Sequence, residues 1–192
     1  MWIEKNLIEG QYVVLEPLAL DHVPALIEAV KDGERWKLWF ANVPCPDKMH
    51  QYVSDAINQM LLGNIAYAVK DKLTNQIVGS TRYYGVDELN RRALIGYTWY
   101  ANKARGTLVN TECKYLLLEQ LFEKYEAIAA EFRTHIGNTA SRKAIERLGA
   151  NQDGILRNHQ ILKDGSIRDT AVYSIIGSEW PEIKQGLLKK LS

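Results

Sequence analysis

The segment from Ile95 to Phe122 constrains the fold more than any other part of the chain. It begins with the β-branched and aromatic residues of a strand, continues through a short basic loop that contains Gly106, and ends in an amphipathic helical pattern. A helix that starts directly after such a loop points its unpaired N–H groups at one place, where the helix dipole also favours negative charge. The segment therefore predicts a binding site for a phosphate or a similar anion.

The remaining elements follow from hydrophobic periodicity and turn residues. Apolar side chains alternate in the predicted strands and recur at helical spacing in the predicted helices. The predicted strands are 11–17, 65–71, 77–86, 93–100, 127–134, 154–162 and 168–176, and the predicted helices are 22–31, 47–62, 110–124 and 139–150. This order predicts one domain over residues 1–192, a mixed α/β fold with a mostly antiparallel sheet of six to seven strands and helices on both faces.

Composition excludes several classes of function. Lysine and arginine number 24 against 23 acidic residues, so no overall positive field indicates a nucleic-acid partner. No window approaches the roughly 18 uninterrupted apolar residues of a membrane span, and the first residues lack a signal-peptide pattern. Cys45 and Cys113 form no Cys-x-x-Cys motif, and the four histidines are scattered, so no metal site is predicted. We expect a cytoplasmic protein that uses no metal.

Four segments carry a resemblance to a known family. The chain resembles the GCN5-related N-acetyltransferase (GNAT) family, in the branch of the ribosomal-protein N-terminal acetyltransferases. The matching segments are IGYTWY at 95–100, VNTECKYLLLEQLFE at 109–123, NTASRKAIERLGA at 138–150 and RDTAVYSII at 168–176. The resemblance implies an acetyl-CoA-dependent N-acetyltransferase.

The resemblance implies that the loop and helix start at the centre of the chain bind the pyrophosphate of acetyl-CoA. Gly106 matches the family's glycine, Lys103 stands where a glutamine or arginine is expected, and Leu108 replaces a small residue. Backbone N–H groups must come close to the phosphates here, so the leucine side chain has to point away. The residues expected on this side of the cofactor are Thr98, Trp99, Lys103, Arg105, Gly106, Thr107, Leu108, Val109 and Asn110.

A second constellation lies at the start of the next helix. Asn138 and Ser141 precede an apolar helical stripe and are suited to cap the helix. The resemblance adds that Asn138 binds the pantetheine amide and that Ser141 lies near the thioester sulphur. Arg142 is a candidate ligand for a phosphate of coenzyme A.

Acetyl transfer to an amine needs a neutral nucleophile, a donor for the developing oxyanion and a proton for the departing thiolate. An α-amine titrates near ~8, whereas a lysine near ~10.4 needs a base. The resemblance places oxyanion donors on the backbone around Tyr97 and Thr98. Two familiar catalytic residues are absent, because Leu94 replaces a glutamate and Ile145 replaces a tyrosine. Ser141 as proton donor and Glu112 as a base acting through water are the remaining candidates, although Glu112 also suits a structural role in the first helical turn.

The acceptor is predicted to be a peptide N-terminus or a small-molecule amine. Trp36 and Trp39, in an aromatic segment that runs to Phe40, would shape its pocket, although they also suit simple core coverage. Asp169 would recognise the amine, or else form an internal ion pair with Arg168. We expect a monomer or a homodimer, and the near-neutral charge disfavours an obligate ribosome-surface role.

Two alternative functions fit the sequence to different degrees. A CoA-binding sensor or assembly module without catalysis would explain the departures at Leu94 and Ile145. A P-loop nucleotide-binding domain is disfavoured, because the chain lacks the Gly-x-x-x-x-Gly-Lys-Ser/Thr motif and the alternating pattern of a parallel sheet.

Overall fold

A computed structural model describes residues 2–39, 42–162 and 164–192. Eight strands form one sheet in the order β1-β2-β3-β4-β5-β6-β8-β7. The strands are β1 Ile8–Glu9, β2 Val13–Pro17, β3 Ile65–Asp71, β4 Gln76–Asp87, β5 Arg92–Tyr100, β6 Ala129–His135, β7 Asn151–Ile161 and β8 Ile167–Ile176. The helices are α1 Val23–Lys31, α2 Met49–Met60, α3 Leu108–Glu119, α4 Thr139–Glu146 and α5 Trp180–Leu191, and α3 continues as a π-helical turn over Gln120–Lys124.

All neighbouring strands are antiparallel except β5 and β6, which are parallel. These two strands pair only from Arg92 to Leu94 on β5, opposite Ala129 to Glu131 on β6. Beyond that point they have no partner positions in common, so the sheet opens into a cleft between the second half of β5 and the second half of β6. A parallel pair needs a crossover connection, and α3 supplies it.

Two apolar clusters hold helices on opposite faces of the sheet. One cluster includes Cys113, Leu117 and Leu121 of α3, Ile145 of α4 and Leu187 of α5. The other joins α1 and α2 to the opposite face, where Trp99 of β5 is buried. We call these the α3 face and the α1/α2 face. Side chains alternate between the faces along each strand, so the central strands are buried on both sides.

The predicted fold class is confirmed, with eight strands instead of six to seven. The additional strand, β1, has two residues and gives no periodic signal. No element was predicted beyond Ile176, yet α5 carries the usual signals: Pro181 in its first turn and apolar residues at Trp180, Leu187 and Leu191. The predicted single domain over the whole chain stays a prediction.

Candidate functional site

The cleft between β5 and β6 has a backbone irregularity on its β5 wall. Tyr97 adopts a left-handed conformation with φ of 50°. The pairing of β4 with β5 shifts register between Ser80 and Arg82, opposite this residue. A bulge of this kind leaves backbone groups outside the ladder and exchanges the faces to which later side chains point. The bulge therefore frees polar backbone at the cleft.

The bulge also decides where Thr98 and Trp99 lie. The Thr98 hydroxyl is 2.8 Å from that of Thr81 and faces α3. Trp99 points to the α1/α2 face, is 4% exposed, and donates its indole N–H to the Tyr52 hydroxyl at 3.3 Å. The Trp99 indole is therefore a core group, and a contact between Trp99 and the cofactor, which stays a prediction, would have to come from the backbone of this residue.

At the start of α3 the loop has the features of an anion site. Gly106 has φ of 74° and an added Cβ there would meet open space, so the glycine serves the backbone conformation. Thr107 caps the helix by accepting the Val109 N–H at 3.3 Å. The helix begins two residues earlier than predicted, so Leu108 stands in the first turn and is half-buried, with Asn110 also half-buried.

Two arginines flank this helix start, and one of them was not predicted. Arg105 is exposed, as expected for a phosphate ligand. Arg35, in the 3₁₀ turn Arg35–Lys37, has its pKa lowered by burial and by the charge of Arg105. Lys103 instead turns away: its ammonium donates to the Gln76 side chain and its backbone N–H to Asp32 at 2.9 Å. Arg35 is therefore better placed than Lys103 to bind a phosphate together with Arg105.

At the start of α4 the capping prediction is confirmed. Asn138 is the N-cap, and its side-chain oxygen accepts the Ser141 N–H at 3.1 Å. Arg142 does not point freely to solvent, because its Nε donates to the Tyr173 hydroxyl at 2.9 Å and it also contacts Gln152 at 3.4 Å. The bond to Tyr173 raises the pKa of Arg142. The guanidinium thus contacts β7 and β8, and its role as a phosphate ligand stays a prediction.

Glu112 has a structural partner set that sequence reasoning could not supply. Its carboxylate is 4% exposed and accepts the backbone N–H groups of Gln11, Tyr12 and Val13 at 2.8, 2.7 and 2.7 Å. The packing is tight, since a Cβ at Gly10 would lie 2.5 Å from the carboxyl. A carboxylate with this many donors anchors the start of β2 to α3. These contacts favour the structural alternative for Glu112, and its suggested role as a base acting through water stays a prediction.

Lys114 is a buried lysine that sequence reasoning missed. Its ammonium is bonded to Thr98 at 2.7 Å and to Thr81 at 3.4 Å, directly behind the bulge. Burial lowers the pKa of Lys114 to about 8. The sequence feature that could have revealed it is a charged residue among the apolar positions of α3, on the face that packs against the sheet.

On the α1/α2 face, four side chains form what we call the arginine–tyrosine cluster: Arg82, Tyr84, Tyr97 and Arg168. The Arg82 guanidinium lies 4.6 Å from the centroid of the Tyr97 ring, and Tyr84 packs edge-on against Tyr97 at 5.0 Å. Tyr84 and Tyr97 lie within electrostatic range of Arg168. Burial, followed by the neighbouring Tyr97, raises the pKa of Tyr84 to about 12, so Tyr84 stays a protonated donor.

His135 and Trp39 lie next to this cluster, at the end of β6. Their rings meet edge-on at 4.8 Å, and Trp39 is 61% exposed. Trp36 is half-buried against the α1/α2 core, which fits the core-coverage alternative. Phe40 lies outside the described residues. The structure thus brings Trp39, but not Trp36, to the open side of the cleft.

Asp169 and Arg168 do not form the ion pair that the sequence suggested. Asp169 accepts the Asn158 N–H at 2.7 Å, and Arg168 donates to the Thr170 hydroxyl at 2.9 Å. Adjacent strand residues point to opposite faces, which separates the two side chains. The role of Asp169 in amine recognition stays a prediction.

The two positions where the resemblance implies a glutamate and a tyrosine hold apolar side chains that pack into the core. Leu94 and Ile145 are both buried apolar residues, 8% exposed.

Glu131, at the narrow end of the cleft, is bound by Arg92 and Arg133, both at 3.1 Å. His135 accepts the Gly137 N–H through Nδ1, so its neutral ring carries the proton on Nε2. Its pKa is lowered, first by burial and then by Arg168.

The described ranges, 2–39, 42–162 and 164–192, offer neither a metal centre nor a membrane-spanning helix. They contain no cluster of histidine, cysteine and acidic residues able to hold a metal ion. Their helices are too short or too polar to cross a bilayer.

Comparison with known proteins identifies relatives over most of the chain. The family model described as "Acetyltransferase (GNAT) domain" matches residues 13–151. The chain is 30% identical over 104 residues to the "Putative ribosomal N-acetyltransferase YdaF" of Bacillus subtilis (strain 168), a match that spans 54% of this chain and 56% of that protein. It is 24% identical over 172 residues to the "Uncharacterized N-acetyltransferase p20" of Bacillus licheniformis, covering 88% of this chain and 94% of that protein.

A solved structure agrees over the whole length. The structure of a GCN5-related N-acetyltransferase from Brucella melitensis superimposes with a TM-score of 0.91 at 30% identity, covering 100% of this chain and 88% of that chain.

Proposed function

The chain belongs to the GNAT acetyltransferase family, and from this premise we propose that it transfers the acetyl group of acetyl-CoA directly to a primary amine. Family membership confirms the resemblance seen in the sequence and makes the protein an acyltransferase. One observation carries the finer proposal: the cleft between β5 and β6 has the bulge at Tyr97 on one wall and lies beside the capped starts of α3 and α4.

The residues around the cleft fit acetyl-CoA, which would supply a thioester as the acetyl donor. The amides of Gly106, Thr107, Leu108, Val109 and Asn110 open α3, where the dipole favours a pyrophosphate. Arg35 and Arg105 repel one another, and a phosphate between them would relieve that repulsion.

At the α4 end of the cleft, the Asn138 side-chain oxygen is engaged in the cap. Its amide nitrogen would remain available to donate to the pantetheine arm. The Ser141 hydroxyl is proposed to give its proton to the departing thiolate and to take up the proton that the attacking amine loses, so that it acts as a relay. Backbone N–H groups at Tyr97 and Thr98 are proposed as donors to the thioester carbonyl oxygen.

Direct transfer is favoured over a covalent acyl-enzyme. Cys113 is fully buried, and burial raises the pKa of its thiol, which disfavours the thiolate needed for attack. Donor and acceptor would instead meet in the cleft, with the acceptor entering from the α1/α2 face between Tyr97 and Trp39.

The acceptor amine would have to be neutral without much help from a base. Glu131 is held by two arginines, and neutral His135 presents a bonded Nδ1 and a protonated Nε2. Nearby cations also favour the neutral form of an amine. These conditions favour a weakly basic acceptor such as an α-amine. A peptide N-terminus and a small-molecule amine both meet this requirement, and the name of the B. subtilis relative supports the peptide.

Calorimetric titration of acetyl-CoA, followed by measurement of thiol release with a panel of amines and peptides, tests the proposal. We expect saturable binding and acceptor-dependent thiol release. Absence of binding at millimolar acetyl-CoA would refute the proposal. Binding without turnover on any amine would instead favour the CoA-binding sensor or assembly module.

A further inference from the structure

The arginine–tyrosine cluster contains two buried positive charges that the fold does not neutralise. Arg82 on β4 and Arg168 on β8 are each 7% exposed. Neither has an acidic partner at ion-pair distance within the described residues. A buried unpaired charge costs several kcal/mol of desolvation, roughly, so such pairs of arginines call for an explanation.

Arg82 is held by aromatic rings and by little else. Its guanidinium lies 4.3 Å from the Tyr52 ring centroid and 4.6 Å from that of Tyr97. Among the described residues, its guanidinium makes one long polar contact, 3.5 Å to the Tyr52 carbonyl, and its Nε is buried without a hydrogen-bond partner. The rings offset part of the lost hydration. They supply no negative charge.

Arg168 is similarly short of partners. Its Nε donates to the Thr170 hydroxyl at 2.9 Å, which leaves the terminal nitrogens of the guanidinium without a described protein acceptor. Burial holds the pKa of Arg168 below its ordinary value. Burial, followed by the charge of Arg168, lowers the pKa of His135, so Arg168 lies within electrostatic range of the cleft end of β6.

The acids near this face are already occupied. Glu131 divides its two oxygens between Arg92 and Arg133 at 3.1 Å each. Asp169 accepts a backbone N–H from Asn158 on β7. The cluster therefore keeps an excess of positive charge beside Tyr97, at the place where the acceptor is proposed to enter.

We propose that the acceptor carries a carboxylate beside its reactive amine, and that Arg82 and Arg168 bind this carboxylate on the α1/α2 face. The inference rests on the proposed acetyltransferase function and narrows its substrate class. A simple cationic amine or a polyamine would be repelled from the cluster. An amine that also has a carboxylate is attracted by it, and guanidinium groups match carboxylate geometry.

The same charges serve both halves of such an acceptor. They bind the carboxylate, and they disfavour protonation of the amine held next to it. Two sources share this chemistry: a free α-amino acid, whose own carboxylate is adjacent to the amine, and a peptide whose N-terminal residue has an acidic side chain.

Matched acceptor pairs test the proposal by steady-state thiol release. One arm compares free amino acids with their carboxamides, and the other compares peptides that begin with Asp or Glu with those that begin with Asn or Gln. We expect kcat/KM to favour the carboxylate member by at least about tenfold in one arm, which identifies the source. Arg82→Gln and Arg168→Gln should bring this ratio close to one while the Kd for acetyl-CoA is unchanged.

Arg133→Gln is the matched control, because Arg133 is an arginine of the same region that already has a carboxylate partner. It should retain the preference. If a glutamine variant fails to fold, Arg82→Lys or Arg168→Lys keeps the charge and should give an intermediate ratio. Equal kcat/KM for both members of every pair in the wild type, or a preference that survives both glutamine substitutions, would overturn the proposal.

A binding readout separates this inference from the proposed function. Calorimetry with the same pairs, in the presence of coenzyme A, reports carboxylate recognition without turnover. Preferential binding of the carboxylate member supports the inference even if no acceptor is acetylated, whereas that lack of turnover would count against the proposed activity. Turnover without a carboxylate preference in either readout would support the proposed acetyltransferase activity and overturn the inference of carboxylate recognition.

Discussion

On the α3 face of the sheet, the buried charges of Glu112 and Lys114 both have polar partners, whereas on the α1/α2 face Arg82 and Arg168 have no acid at ion-pair distance among the described residues. Glu112 accepts three backbone N–H groups, and Lys114 is bonded to two threonines. Arg82 has rings on its faces and a buried Nε without a partner.

The difference separates charges that build the fold from charges available to a ligand. A buried ion whose hydrogen bonds are complete within the protein fixes neighbouring elements relative to each other. A buried ion without a counterion raises the energy of the free protein, and a bound counterion recovers that energy. We therefore expect substitutions on the α3 face to change mainly stability and those on the α1/α2 face mainly acceptor recognition.

The largest effect should come from Glu112→Ala. Three backbone amides of β2 and its preceding turn would lose their acceptor, and the free energy of unfolding should fall by about 3–5 kcal/mol in chemical denaturation. Glu112→Gln, which keeps the shape and one acceptor oxygen, should lose less. Unchanged stability of Glu112→Gln together with lost turnover would instead support a catalytic role for Glu112. It would contradict the expectation that charges on the α3 face serve mainly stability.

An intermediate and pH-dependent effect is expected at Lys114. The folded-state pKa of about 8 lies below that of an unfolded lysine, so the unfolded chain binds more protons between these values. Stability should therefore rise as pH increases from about 8 to about 10.4, with a slope approaching about 1.4 kcal/mol per pH unit.

The conservative variant Lys114→Met isolates this contribution, since the other titrating groups are shared. Urea denaturation of both proteins across that pH range should show stability curves that converge or cross as the wild type gains stability. Parallel curves would mean that Lys114 stays charged throughout and that the α3 face also tolerates an unneutralised charge.

The smallest effect should come from Asn138, where capping and ligand binding are proposed for the same side chain. Asn138→Ala should cost about 1 kcal/mol of stability through the lost cap. Asn138→Asp keeps a capping oxygen and should preserve stability, yet it replaces the amide donor with a carboxylate and should raise the KM for acetyl-CoA. An unchanged KM in Asn138→Asp would restrict Asn138 to its structural role.

Local patterns predicted most of the elements but not which side chains share the cleft. The helical spacing of Cys113, Leu116, Leu117 and Leu121 placed them together, and all four are buried. The Asn138 cap was equally readable, because donor and acceptor are three residues apart. The contacts of Glu112 could not be predicted, because its partners lie about 100 positions away in the chain. Nothing within the helix distinguishes it from an ordinary first-turn acid.

The sequence alone determined most of the succession of elements, the helix starts around Gly106 and Asn138, and membership of the family, because these depend on spacings within a few turns of chain. Only the tertiary structure decided that Arg82, Tyr97, His135 and Arg168 meet, since they lie on four strands whose order in the sheet differs from their order in the chain. It also decided the faces of Tyr97 and Trp99, because a bulge depends on the register with β4 and reverses the alternation that a sequence pattern assumes.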